Sequence, residues 1–117
     1  MTYGGKRVVV TGGHGFIGSN LVIRLVEEGA QVTLIDSLVP GCGGNRHNIA
    51  PVRDRVTVIE ADIEDTRRLC AVLAKSEIIF NLAGEISHIH SMQFPERDLQ
   101  INTVAQLRFL LACKEAA

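Results

Sequence analysis

The segment from Thr11 to Gly18 limits the possible folds of this chain more than any other. It reads Thr-Gly-Gly-His-Gly-Phe-Ile-Gly and lies between the β-branched run Val8–Val10 and a stretch with apolar residues at helical spacing: Ile17, Leu21, Val22, Leu25 and Val26. A tight turn from a strand into a helix needs backbone conformations that glycine adopts at little cost. Bare amides at the start of a helix also favour a bound anion. The segment therefore predicts a strand–turn–helix unit that binds a pyrophosphate.

Hydrophobic periodicity predicts an alternation of strands and helices along the whole chain. Strands are predicted at about 6–11, 31–36, 56–61 and 77–82. Helices are predicted at about 16–28, 65–75 and from Asp98 onward, with Gly29 ending the first helix and one further helical turn near 46–50. Strands joined by helical crossovers form parallel sheets. The 117 residues are therefore predicted to form one α/β domain, a Rossmann-type parallel sheet of about four strands in the order 3-2-1-4 with helices on both faces.

Composition and charge exclude several classes of protein. A formal charge of −1 gives no general attraction to nucleic acid or to anionic membranes. The longest early apolar run is far too short for a signal peptide or a membrane span. The three cysteines, Cys42, Cys70 and Cys113, are odd in number and widely spaced, which argues against a disulfide framework and a zinc site. We therefore expect a cytoplasmic protein with no metal, no nucleic-acid partner and no membrane partner.

Asp36 closes the second predicted strand, about 20 residues beyond the glycines, where dinucleotide-binding proteins carry an acid. A carboxylate at this place accepts hydrogen bonds from the adenosine ribose hydroxyls and repels a 2′-phosphate. Ser37 and Leu38, which follow it, carry no positive charge. NAD is therefore favoured over NADP. The preference would reverse if Arg46 or His47, in the following loop, folded back toward a phosphate.

Several motifs, in order along the chain, resemble the extended short-chain dehydrogenase/reductase family in its NAD-dependent epimerase/dehydratase branch. They are Thr11-Gly12-x-x-Gly15-x-x-Gly18, Asp62-Ile63, Asn81-Leu82-Ala83-Gly84 and Asn102. The loop between residues 36 and 48 is similar to that of nucleotide-sugar 4-epimerases. The resemblance implies NAD as the cofactor, and it implies that Asn102 steadies the neighbouring strand.

The contacts implied by this resemblance follow the length of the dinucleotide. The pyrophosphate is assigned to Gly12, Gly13, Gly15, Phe16, Ile17 and Gly18. The adenosine ribose is assigned to Asp36 and Ser37, and the adenine to Asp62 and Ile63. The path toward the nicotinamide is assigned to Leu82, Ala83 and Gly84.

Members of this family transfer a hydride between a sugar carbon and NAD, and a Tyr-x-x-x-Lys pair handles the proton. The only tyrosine here is Tyr3, with Arg7 four positions later, so no catalytic residue is assigned. We therefore expect the NAD-binding N-terminal portion of a nucleotide-sugar epimerase or dehydratase, inactive alone, whose full-length form binds a nucleotide sugar. Two alternatives remain: a stand-alone, non-catalytic dinucleotide-binding module, and a fragment of an NAD(P)-dependent reductase with a non-sugar substrate.

Further histidines and cysteines are expected to have no chemical role. His14 is expected to face solvent rather than contact a phosphate, and Cys42 is expected to be an idle surface thiol. Cys70 and Cys113 fall in apolar helical stretches and are expected in the core. Ser87, His88 and His90 follow the fourth strand, and neither a catalytic base nor a metal site is predicted there.

The last predicted helix carries more apolar residues than one buried stripe needs: Leu99, Ile101, Val104, Leu107, Phe109, Leu110 and Leu111. Resemblance to the family implies a homodimer formed through this helix. Cover by further segments of the same polypeptide accounts for the surplus equally well.

Overall fold

A computed structural model describes residues 2–38, 44–84 and 92–116. Its strands are β1 (Arg7–Thr11), β2 (Gln31–Ile35), β3 (Val56–Ile59) and β4 (Ile78–Asn81). Its α-helices are α1 (Phe16–Glu27), α2 (Thr66–Lys75), α3 (Pro95–Leu99) and α4 (Ala105–Ala116). A 3-10 helix spans Arg46–Arg55, and a π-helical turn, Gln100–Val104, joins α3 to α4.

The four strands form one parallel sheet in the order β3-β2-β1-β4, which confirms the predicted fold class and strand order. Val9 of β1 pairs with Thr33 of β2 and with Ile79 of β4. Because successive side chains of a strand point to opposite faces, β1 contributes Val8 and Val10 to one face and Val9 to the other. The first strand is therefore buried on both sides.

Two apolar clusters cover the two faces of the sheet. On the first face, α1 and the 3-10 helix pack their buried side chains against Val8 and Val10, and these side chains are Val22, Leu25, Val26, Ile49 and Val52. On the second face, α2 and α4 pack against Val9 and Ile35 with Leu69, Leu73, Ala105 and Phe109. The predicted helices on both faces are confirmed.

Helix α1 ends where the glycine was predicted to end it. Gly29 has φ +88°, and its amide donates to the carbonyl of Val26. The amide of Ala30 donates to the carbonyl of Leu25, which completes the hydrogen bonding of the last turn. The chain therefore enters β2 directly after the helix.

Two helical predictions were too short. The loop expected to hold one helical turn forms a ten-residue 3-10 helix, because Ile49 and Val52, three residues apart, lie on one side of it and are both buried. The last helical region begins at Pro95 rather than near Asp98, since proline suits the first turn of a helix.

The expectation for Cys70 was wrong, because its side chain is exposed. The buried stripe of α2 runs through Leu69 and Leu73, and Cys70 lies about 100° around the helix from Leu69. Cys113 is half-buried and packs against the second cluster. Burial raises the pKa of the Cys113 thiol, which keeps it protonated at neutral pH.

Within the described residues, no helix is long and apolar enough to cross a membrane.

Replacing Phe109 tests the second cluster. Phe109 is fully buried between α4 and the sheet, so Phe109→Ala should lower the free energy of unfolding by about 3–5 kcal/mol. Met92→Ala, at a side chain that is 83% exposed, is the matched control and should change it by less than about 0.5 kcal/mol. Urea denaturation measures both, and equal effects would contradict the placement of α4.

Candidate dinucleotide site

A cavity of about 400 Å³ opens at the carboxyl ends of the strands. Every residue predicted to contact the cofactor lines it except Gly13. The rest of the lining comes from Ile35, Gly44, Ala61, Ile101 and Ala105. Parallel α/β sheets bind ligands at this edge, outside the carboxyl ends of the strands. Residues from six separate segments of the sequence therefore meet in one place.

Two glycines of the turn are required by close packing. Gly12 has φ +68°, and a Cβ on it would lie 2.8 Å from the carbonyl oxygen of Leu82. A Cβ on Gly18 would collide with the backbone of Gly12. Any larger residue at either position would push α1 away from the sheet edge.

Gly15 differs from both, because a side chain on it would be tight against the backbone without colliding with it. A Cβ there would meet only the carbonyl oxygen of Gly12, at 3.3 Å, and its φ of −73° suits any residue. Gly15 lines the cavity, and the backbone beside it would have to shift only slightly to admit a side chain. The expected reason for a glycine at this position, the close approach of a ligand to the backbone, stays a prediction.

Gly13 is the one predicted contact residue that does not line the cavity. It is buried, and a side chain on it would collide with that of Leu34 in β2. The glycine at this position is required for the packing of the turn against the sheet.

Helix α1 points its N-terminus at the cavity. Gly15 is the N-cap residue and supplies no side-chain hydrogen bond, so the first amides are left for a ligand. Phe16 and Ile17, in the first turn, are 82% and 70% exposed and line the cavity. The positive end of the helix dipole favours a diphosphate at this place.

The carboxylate of Asp36 is held in place by two backbone amides. Its Oδ2 accepts from the amide of His14 at 3.0 Å, and its Oδ1 accepts from the amide of Leu38 at 2.8 Å. Each carboxylate oxygen keeps a lone pair for a further donor. The carboxylate is therefore oriented at the cavity and can still accept from a ribose hydroxyl on each oxygen.

Arg46 and His47 are the two basic residues that would reverse the preference for NAD over NADP if they approached the phosphate. The Arg46 guanidinium forms an ion pair with the carboxylate of Glu60. His47 is exposed, and its amide donates to the side chain of Asn45, the N-cap residue of the 3-10 helix. Arg46 is therefore paired with a carboxylate on the exposed surface.

The segment after β3 forms one wall of the cavity. The side chain of Asp62 accepts from the amide of Glu64 at 2.9 Å, which shapes a short turn. Ala61 and Ile63 on either side are buried, and they line the cavity together with Ile101 and Ala105 of the last helical region. A carboxylate beside apolar side chains suits the flat face and exocyclic amine of a purine.

A buried hydrogen-bond network holds the fourth strand beside the glycine turn. The hydroxyl of Thr11 donates to Asn81 Oδ1 at 2.6 Å and accepts from the amides of Leu82 and Ala83. Asn81 Nδ2 donates to Gln106 Oε1 at 2.6 Å, and Gln106 Nε2 donates to the carbonyl of Ala83 at 2.7 Å. The network fixes the path of 81–83 along the cavity.

Sequence reasoning missed Gln106 and selected Asn102 on the same helical region instead. Asn102 Oδ1 would lie 3.1 Å from a Cβ on Gly84, so it packs against the backbone just beyond β4. Gln106 links its side chain to Asn81 of the strand itself. The spacing could have identified Gln106, because a polar residue four positions beyond Asn102 lies on the same face of a helix.

A comparison with known protein families decides the assignment. The model of the NAD-dependent epimerase/dehydratase family matches residues 8–117. The chain belongs to this family.

Individual relatives agree with the family assignment. UDP-glucose 4-epimerase from Mycolicibacterium smegmatis is 40% identical over 112 residues, which are 94% of this chain and 35% of the relative. dTDP-glucose 4,6-dehydratase from the same organism is 33% identical over 110 residues, 92% of this chain and 33% of the relative. The enzyme WbmF of Bordetella bronchiseptica, solved in complex with NAD+, superposes with a TM-score of 0.87 at 30% identity, covering 100% of this chain and 34% of that one. The chain spans about a third of the length of the curated relatives it matches.

The expectation for His14, in the family's cofactor loop, was wrong. Its side chain is 1% exposed, and burial lowers the pKa of the imidazole from its ordinary value of 6.5. The residue is buried because its main chain is tied on both sides: the amide to Asp36, and the carbonyl to the amide of Asn45 and the side chain of Asn48. Its Cβ lies beside Gly44, at 3.8 Å from the place that a Cβ on this glycine would take.

The sequence predicts no metal site and no catalytic base, and the structure describes only some of the residues concerned. Among the described residues no group of three or more His, Cys, Asp or Glu side chains is placed to hold a metal. Cys42, Ser87, His88 and His90 lie outside the described residues. Tyr3 packs its ring against Phe80 of β4, with the ring centroids 6.1 Å apart, and does not line the cavity.

Removing the Thr11 hydroxyl tests the network that shapes the site. Thr11→Val keeps the volume but removes the hydroxyl that accepts from the amide of Ala83 and donates to Asn81 Oδ1, whereas the amide of Leu82 keeps the main-chain carbonyl of residue 11 as an acceptor. The free energy of unfolding should fall by about 1–3 kcal/mol. Thr57→Val, at an exposed position in β3, is the matched control and should change it by less than about 0.5 kcal/mol. Urea unfolding measures both, and equal stabilities would contradict the network.

Proposed function

We propose that this chain binds NAD in the cavity at the carboxyl edge of the sheet. It forms the cofactor-holding part of a nucleotide-sugar epimerase or dehydratase similar to UDP-glucose 4-epimerase. The observation that carries the proposal is the meeting, in one cavity, of an uncapped helix N-terminus and an oriented carboxylate. The relatives named as UDP-glucose 4-epimerase and dTDP-glucose 4,6-dehydratase support the sugar chemistry.

The cavity matches the parts of a dinucleotide in order. The diphosphate lies at the amides of the first turn of α1, where Gly15 leaves space. The adenosine ribose lies at Asp36 and Ser37, and the adenine lies against Asp62 and Ile63. The nicotinamide half runs toward Leu82, Ala83 and Gly84. When bound, NAD supplies a hydride acceptor, and the chain supplies its orientation.

The same geometry supports NAD over NADP. A 2′-phosphate would meet the Asp36 carboxylate, and like charges in close contact cost several kcal/mol. Arg46, which could offset that repulsion, is paired with Glu60.

Proton transfer is not assigned to any described residue of the cavity. Its lining contributes two carboxylates, Asp36 and Asp62, and one hydroxyl, Ser37. Asp36 and Asp62 serve the ribose and the adenine in this proposal, which leaves no acid or base for the sugar among the described residues that line the cavity. We therefore expect NAD binding without epimerase or dehydratase activity from these 117 residues alone.

We further propose that a second copy of the chain covers the outer face of α4. Leu107, Leu110 and Leu111 lie on one side of this helix and are 50–58% exposed. The opposite side, with Ala105 and Phe109, packs into the second cluster. Exposed leucines three and four residues apart form an apolar stripe, and a two-fold axis would bury the same stripe on both copies.

The Asp36 argument predicts a measurable cofactor preference. Calorimetric titration should show NAD binding at least about tenfold more tightly than NADP. Asp36→Asn removes the repulsive charge and should bring the dissociation constants of NAD and NADP closer together, mainly by weakening the binding of NAD. Asp54→Asn, at an exposed position of the 3-10 helix, is the matched control and should leave the ratio unchanged. Equal or reversed preference in the unaltered chain would refute the role of Asp36.

The dimer proposal predicts a change in mass. Light scattering after size-exclusion chromatography should give the mass of two chains. Leu110→Glu should reduce it to one, because burying the introduced carboxylate without a partner is costly. Ala50→Glu, at an exposed position beyond the opposite face of the sheet, is the control and should leave the dimer intact. A monomer without substitution contradicts the proposal and favours cover of this face by further segments of the same polypeptide.

A further inference from the structure

His14 is a buried titratable group that the proposed binding of NAD does not use. Its side chain is 1% exposed, and neither ring nitrogen has a hydrogen-bond partner in the part of the chain that the structure describes. A neutral imidazole has one donor and one acceptor, and buried polar groups nearly always find partners. The ring is therefore held in place by its surroundings and its main chain rather than by hydrogen bonds of its own.

The main chain of His14 joins three parts of the site. Its amide donates to Asp36 Oδ2 at 3.0 Å. Its carbonyl accepts from the amide of Asn45 at 3.0 Å and from Asn48 Nδ2 at 2.8 Å. The glycine turn, the end of β2 and the start of the 3-10 helix are thus held by one residue. A movement of His14 would change the orientation of the Asp36 carboxylate.

Charged groups from three elements act on the imidazole. Asp36, after β2, and Glu60, after β3, favour a proton on the ring, whereas Arg46 and Arg53 of the 3-10 helix oppose it. Burial has the largest effect and lowers the pKa of His14. Burial of the His14 ring, as in this structure, therefore favours its neutral form. As the pH falls below the ordinary histidine pKa of 6.5, conformations that expose the ring to water gain protons and become more populated.

We propose that His14 is a positioning residue for Asp36 and that its protonation weakens NAD binding. The ring takes its proton from solvent and leaves its buried place. The main chain then withdraws the amide that orients Asp36 Oδ2, and the carboxylate no longer faces the ribose in a fixed position. This inference rests on the proposed binding of NAD in this cavity.

Thermodynamic linkage makes the inference testable from both sides. If a proton on His14 weakens NAD binding, then bound NAD must lower the proton affinity of His14 by the same factor. The NMR signal of the His14 ring should therefore titrate at lower pH with saturating NAD than without it. The loss of one ring signal in His14→Phe assigns the resonance.

The experiment measures the dissociation constant of NAD by calorimetry from about pH 7.5 to about pH 5.5. In the unaltered chain it should rise several-fold, up to about tenfold. His14→Phe keeps a ring that cannot be protonated and should remove this part of the pH dependence. His47→Phe, at the exposed histidine of the 3-10 helix, is the matched control and should retain the full dependence.

The outcomes separate this inference from the function on which it rests. No binding of NAD by the unaltered chain at any pH would refute the proposed function. Binding whose pH dependence is the same in the unaltered chain and in His14→Phe would overturn the role of His14 alone. If His14→Phe fails to fold, the NMR titration of the unaltered chain decides, because an equal pKa with and without NAD also overturns the inference.

Discussion

The main chain of the glycine turn passes so close to its neighbours that only hydrogen fits at three of its positions, at two of them because the neighbour is itself backbone. A side chain on Gly12 would meet the backbone of Leu82 and Ala83, and one on Gly18 would meet Gly12. These two approaches keep the start of α1 against the carboxyl edge of the sheet. Gly15, between them, lines the cavity at the start of the helix.

The remaining contacts orient groups around that helix start. The Asp36 carboxylate is fixed by two amides, and the Thr11, Asn81 and Gln106 side chains fix the strand on the other side. Backbone amides and one carboxylate recognise a diphosphate and a ribose, so these contacts suit the common parts of a dinucleotide. They carry no information about the sugar on which a member of this family acts.

Features that depend on neighbours in the sequence were predictable. The glycines, the alternation of strands and helices and the acid after β2 are local patterns, and together they led to the strand order and to the residues that line the cavity. The burial of His14 and the packing role of Gly13 were not predictable, because they depend on Asn45, Asn48 and Leu34, which reach the turn only through the tertiary fold. Cys70 was misplaced because an apolar run does not tell which side of a helix faces the sheet.

The most direct test is a calorimetric titration of NAD into the chain and into Gly15→Val. The cavity at the start of α1 should bind one NAD, and the valine side chain should occupy the space of the diphosphate and weaken binding by at least about tenfold, while the free energy of unfolding stays within about 1 kcal/mol. Ala71→Val, at an exposed position of α2, should bind NAD normally. Equal affinity of Gly15→Val and the unaltered chain would contradict binding of the diphosphate at this helix.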